Sequence, residues 1–304
     1  MRRIRLVSYV PLLSVLAACT QAQPPPGPPA SASVAPAPAT GAAVTAAATS
    51  AAAAPEADLP ILPIPARAQA AESPPSGWCG ETAIQEGLLH LGMWAPQRLI
   101  NKAGSPQHPD LYSNEIPAAL AALGVRFTAY APRARGYEPF AKWVSAAIDE
   151  GHPVLAGVKI LPTQHPEWGL DHFVLVVGHG ARGLLVNTTW GHRAWVNGAG
   201  DATTKGLSFK NAMYALRLDG LVLPPEAKPA RITLLAEGDT TMRMSVTCEG
   251  FPPATPVRIE QRTERARPKA VSTVEATADA EGRVVAELEV DSAHFARFQC
   301  VPAR

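Results

Sequence analysis

His172-Phe173-Val174-Leu175-Val176-Val177-Gly178 is the stretch that decides the fold. Its unbroken apolar run, bounded by glycine, predicts a strand buried on both faces rather than one half-exposed to water. Gly178-His179-Gly180-Ala181-Arg182-Gly183 then reads as a turn that folds this strand back onto Leu184–Asn187. Val154–Lys159 and Tyr214–Leu218 have the same Val- and Leu-rich texture. Upstream the spacing changes. In Cys79–Leu91 the residues Ile84, Leu88 and Leu91 share one helical stripe, and Gly92 is placed to stop the helix. Pro96–Ala103, Asn114–Leu123 and Glu138–Glu150 read as three further helices. Helices come first and a sheet follows, which predicts an α+β domain over residues 74–222.

Beyond Pro224-Pro225 the pattern is all short strands: Arg231–Ala236, Met242–Cys248, Val257–Gln261, Val271–Ala276, Arg283–Val290 and Ala296–Val301. Residues 226–304 therefore read as a small immunoglobulin- or fibronectin-like β-sandwich that binds or spaces. Cys248 and Cys300 lie near the ends of its second and last strands and are expected to pair in an oxidising compartment.

The other end of the chain is not domain sequence. Met1-Arg2-Arg3-Ile4-Arg5 is basic, and Leu6 to Ala18 is apolar but shorter than the ~20 residues a spanning helix needs. The run ends Leu16-Ala17-Ala18-Cys19, which resembles the lipobox of bacterial lipoproteins. Residues 1–19 are thus expected to be a signal peptide, with Cys19 becoming the acylated (palmitate-bearing) N-terminus. Thr20, rather than Asp, follows the cysteine, which by resemblance to enterobacterial lipoproteins points to the outer membrane. Residues 20–73 are nearly all Ala, Pro, Ser, Thr, Gly and Val, with the first charge at Glu56. Such a segment buries too little to order itself and is expected to be a disordered tether. The lipid bilayer is the first expected partner. A net charge of +1 with 17% charged residues argues against nucleic acid.

Three residues of the middle domain have the types and order of thiol catalysis. Cys79 opens a helix, where the dipole and free N–H groups favour a thiolate. His172 opens the buried strand as candidate base, and Asn187 ends the next strand, where its amide could orient the imidazole. With Cys19 acylated and Cys248 paired to Cys300, Cys79 is expected to be a free thiol. The histidines show no helix-pair spacing and the cysteines no Cys-x-x-Cys, so neither metal nor cofactor is expected.

Gly77-Trp78-Cys79-Gly80-Glu81-Thr82-Ala83 resembles the nucleophile segment of papain-like cysteine peptidases. Asn187-Thr188-Thr189-Trp190-Gly191 resembles that family's Asn-Ser-Trp-Gly segment with one extra residue. Gly151-His152-Pro153-Val154, followed by His172 on an apolar strand, is closer to the bacteriocin leader-processing (double-glycine) branch. The resemblance spans residues 74–218. It implies a papain-like fold, with a helical N-terminal part and an antiparallel C-terminal sheet, and a Cys79–His172–Asn187 triad acting on a peptide or protein substrate. Trp190 would shield the Asn187–His172 hydrogen bond from water, and Trp168 could wall the cleft. The family's oxyanion glutamine lies about six residues before the cysteine, where this chain has Ser73. Gln69 or another donor replaces it, or the site is weak or inactive. Three functions stay open: a cysteine hydrolase, a non-catalytic binding protein, and a transglutaminase-like acyl transferase.

Overall fold

The computed structural model describes residues 59–131, 136–161, 163, 167–198, 200–201, 207–209, 214–263 and 270–303. The signal segment with Cys19, and the tether up to residue 58, lie outside them. The first domain runs α1 (Cys79–His90), β1 (Met93–Trp94), α2 (Gln97–Gly104), α3 (Ile116–Ala122), β2 (Val125–Ala129), α4 (Tyr137–Asp149), β3 (Val154–Val158), β4 (His172–Gly180), β5 (Gly183–Asn187), β6 (Arg193–Asn197), β7 (Gly200–Asp201) and β8 (Ala215–Leu221). The second part adds β9 (Lys228–Glu237), β10 (Thr241–Cys248), β11 (Pro256–Arg262), β12 (Ala270–Thr277), β13 (Val284–Asp291) and β14 (Ala296–Pro302).

The structure overturns the α+β, papain-like expectation with its helical N-terminal part. The chain is mostly β, with fourteen strands against four helices among the described residues. The helices do not build a half of their own. Seven antiparallel strands in the order β2-β8-β3-β4-β5-β6-β7 form the frame, and helices cover it. Alternation along β4 explains why: Phe173, Leu175 and Val177 join one core with Ile84 and Leu88 of α1. Val174 and Val176 join the opposite core with Phe140, Val144 and Ile148 of α4. A strand apolar at every position thus needs a cover on each face, and α1 and α4 supply them.

The tether is also shorter than residues 20–73. From Leu59 the chain lies on the first domain as a strap, with Ile64 only 1% exposed. Ile61 bridges Gly178, and the Leu62 N–H donates to the Val177 carbonyl at 2.7 Å. The Pro-rich composition hid this, because Leu59, Ile61, Leu62 and Ile64 supply the apolar contacts without helical or strand spacing.

The second part is not a free-standing sandwich. Its strands follow one path, β12-β11-β14-β9-β10-β13, closed at β14 by a strand from the first domain. Met93 and Trp94 of β1 pair with Arg297 and Ala296, while β9 takes Gln299 and Cys300 further along. The edge of β14 is thereby covered, which removes a site for stray strand pairing. Leu89 and Trp94 are buried in the second part's own core. Gly92 turns the chain between them at φ +85°, and a Cβ there would lie 2.3 Å from the Ala230 carbonyl oxygen, so only glycine fits. Cys248 on β10 and Cys300 on β14 form a disulfide with Cα atoms 6.0 Å apart.

Candidate active site

Residues 76–79 turn the chain into α1. Gly77 has φ +85°, and Ser76 does not cap the helix; its hydroxyl donates to Asp110 Oδ1 at 2.8 Å. The orphan N–H of Trp78 is satisfied instead by Gln69, whose Oε1 accepts it at 2.7 Å. Because a backbone N–H can only donate, this contact fixes which way the Gln69 amide is turned, and its NH₂ is the end left to act as a donor beside the helix start. Gln69, ten residues before the cysteine, thus contacts the residue next to it.

Cys79 is wholly buried and disulfide-bonded. The free thiol expected from counting cysteines is not what the structure contains.

His172 is 2% exposed, and its ring is fixed on two sides. Nε2 lies 2.9 Å from the Thr188 carbonyl oxygen and 3.2 Å from Thr189 Oγ1. A carbonyl only accepts, so the ring proton sits on Nε2 and the lone pair on Nδ1. Trp190 stacks on the imidazole at 4.6 Å between centroids, but the Asn187–His172 hydrogen bond it was expected to shield is not formed. Burial lowers the His172 pKa to about 4, opposed by the Thr188 hydrogen bond and the charge of Asp171. Asp171 anchors the start of β4: it pairs with Lys159 at 3.1 Å and accepts the N–H groups of Ile160 and Leu161.

Asn187 is not part of this arrangement. Its Nδ2 donates to the Ile64 and Pro65 carbonyls at 3.3 and 3.1 Å, and its Oδ1 accepts from Arg193 Nε at 3.2 Å. Strand register is the cause. Leu175 pairs with Asn187, so His172, three residues earlier, falls level with Trp190, three residues later. The extra residue in Asn187-Thr188-Thr189-Trp190 puts a threonine where the family pattern has asparagine. Trp168 is half-buried in the loop before β4.

Two carboxyl groups sit in α1, whose residues from Cys79 to Leu89 are all buried. Glu81, two residues after the cysteine, faces inward rather than to solvent, accepting from Asn101 Nδ2 at 2.8 Å and Leu111 N–H at 2.9 Å. Burial raises its pKa to about 7. Glu86 accepts the Arg67 N–H at 2.7 Å, and burial raises it to about 8 against the pull of Arg67, Asn187 and Arg193. Both are thus largely neutral near pH 6, so Glu81 opposes a thiolate less than its sequence position suggests. No three His, Cys, Asp or Glu side chains converge to hold a metal among the described residues.

Thr188, Thr189, Arg67 and Glu86 went unforeseen. The first two are legible only once the β4–β5 register is known, and the other two depend on a strap that carries no periodic signal. Compared with protein-family models, curated proteins and solved structures, the chain matches none.

Proposed function

We propose that the first domain of this chain is a cysteine hydrolase of peptidase type, held latent by the disulfide at Cys79. The observation that carries this reading is the fixed imidazole: Nε2 tied to Thr188, Trp190 stacked on the ring, and Nδ1 holding the lone pair. A dithiol reductant gives up two hydrogens, becomes a disulfide itself, and releases Cys79 as a thiol. His172 Nδ1 then takes the thiol proton, and the sulfur attacks a substrate carbonyl. The leaving amine takes that proton from the imidazolium, and water, deprotonated by His172, hydrolyses the thioester. The helix N-terminus and the Gln69 amide are the candidate donors to the oxyanion.

Labelling with a broad cysteine-hydrolase probe tests the reading. Reduced protein should be modified on Cys79, oxidised protein and the His172→Ala variant should not. Incorporation of an added amine into product would instead mark an acyl transferase.

A second reading, a non-catalytic binding protein, is favoured by the complete burial of Cys79 and the diversion of Asn187 to the strap. Absence of labelling on reduced, folded protein would select it.

The lipobox supports a separate proposal, a lipid-anchored cell-envelope protein acylated on Cys19, and in that form Cys79 is a thiol without need of a reductant. A thioether-linked acyl group takes that sulfur out of disulfide chemistry. A non-reducing peptide map of mature protein therefore reads the anchor and the state of Cys79 together, and a Cys19–Cys79 linkage would overturn the lipoprotein assignment.

A further inference from the structure

A groove of about 580 Å³ runs between the two parts of the molecule, next to the candidate site. Gln69, Gln85, Trp94 and Gln97 line one wall, and Glu237 and Asp239, at the β9–β10 turn, line the other. The strap forms its floor, with Ala66 to Ala70 among the lining, and pairs with the first domain in the manner of a bound peptide. Ala68 bridges Trp190 antiparallel, the Gln69 N–H donates to the Thr189 carbonyl, and the Gly191 N–H donates to the Arg67 carbonyl. Main-chain pairing of this kind is how an extended polypeptide adds to a sheet edge.

One side chain of the strap is held with more specificity than a connector needs. The Arg67 guanidinium lies 5.0 Å over the Trp94 ring. Its Nε donates to Gln85 Oε1 at 2.8 Å, and its Nη2 to Glu237 Oε1 at 2.8 Å. Gln85 is turned for this, since its own Nε2 is spent on the Ala95 carbonyl at 2.8 Å. A flat face, a neutral acceptor and a carboxylate are thus each matched to one property of a guanidinium, and a lysine ammonium could not meet all three. The carboxylate comes from the second part of the chain, while the indole and amide come from the first.

We propose that this groove is a binding site for extended, arginine-bearing polypeptides, and that Arg67 of the strap fills its arginine subsite in cis. A ligand in trans competes with a segment of the same chain, whose effective concentration is high, so it must displace the strap. Of the candidate site, Gln69 lines the groove. The inference extends the hydrolase reading by naming its substrate class, but binding itself needs no reactive thiol.

The test uses the full chain in its oxidised form, so that its outcome is independent of any hydrolysis. The probe is a fluorescent peptide with the sequence of residues 61–70, compared with the same peptide carrying alanine in place of the arginine. Arg67→Ala protein should bind the arginine peptide roughly ten-fold or more tightly than wild type does, the loss of a charge-assisted contact in cis being of that order. It should prefer that peptide over the alanine peptide, and adding Glu237→Gln should erase most of the preference. If Arg67→Ala proves unfolded by its thermal transition, Arg67→Lys, which keeps the charge without the fork, replaces it. Equal binding of the two peptides, or no binding by a folded variant, would overturn the proposal.

Discussion

His172 and Thr188 are joined by a 2.9 Å hydrogen bond from the ring Nε2 to a main-chain carbonyl. The imidazole is therefore oriented by the backbone and not by the amide side chain that the sequence put forward. Thr188→Ala should leave the orientation intact. Asn187→Ala should act on stability instead, because it leaves the Ile64 and Pro65 carbonyls and the Glu86 carboxyl short of a partner in a buried region. A loss of about 1–3 kcal/mol is expected by urea unfolding, with the pH profile of Cys79 reactivity unchanged in shape. A shifted profile with unchanged stability would restore Asn187 to the site.

The buried ionisable groups predict an unusual pH dependence of stability. His90 and His172 are both lowered by burial to about 4, so unfolding takes up protons between there and their ordinary value near 6.5. Glu81 and Glu86 are raised by burial to about 7 and 8, so the native state holds the extra protons from about 4.5 upward. The histidines make stability fall as pH drops from 6.5 towards 4, and the glutamates make it fall as pH rises towards 8. Between about 4.5 and 6.5 the two slopes oppose one another, each group contributing on the order of 1.4 kcal/mol per pH unit. The maximum should lie in that weakly acidic window. Urea midpoints from pH 4 to 9 check this, and Glu86→Gln should lessen the fall above pH 6.5 and leave a net rise between about 4.5 and 6.5.

The two parts of the chain should not survive separation. Trp94 is 3% exposed and donates its indole N–H to the Ser292 carbonyl at 3.1 Å, across the boundary. Trp94→Ala is expected to cost about 3–5 kcal/mol. Removing residues 226–304 would expose Leu89 and Trp94 together and should give an aggregation-prone first domain. A soluble, cooperatively melting fragment would contradict the shared core.

The Cys248–Cys300 disulfide spans 52 residues and should contribute about 4 kcal/mol on the chain-entropy model. The double alanine variant should show this as a lowered denaturation midpoint. It should leave reactivity at Cys79 unchanged.

Much of this architecture could be read from local pattern. The unbroken apolar run of β4 foretold a strand covered on both sides, and the six segments after Pro225 became β9 to β14. What could not be read were relations set by register and by long-range packing. Asn187 looked like a partner of His172 because it ends the adjacent strand, but the pairing with Leu175 moves Trp190 opposite the ring. Two residues, Met93 and Trp94, are too short a run to announce a strand, and their pairing partner lies some two hundred positions away. The class is not legible in the helix spacings, because periodicity does not say what a helix packs on: α1 and α4 cover opposite faces of the sheet, while α2 packs on α1 and α3.

The central claim, that His172 activates Cys79, is tested most directly by alkylation after reduction. Folded protein is reduced, freed of reductant and treated with iodoacetamide across pH 5 to 9, and the Cys79 peptide is followed by mass spectrometry. An unassisted thiol has a pKa of about 8.5 and reacts little at pH 6. The low His172 pKa belongs to the disulfide-bonded state. A thiolate beside the ring favours the imidazolium, so the reduced pair should be alkylated at pH 6 far faster than a free peptide thiol. His172→Ala should return the profile to that of an ordinary cysteine. Slow alkylation at every pH, indifferent to His172→Ala in protein shown to be folded, would contradict the account and leave a binding protein in place of the hydrolase.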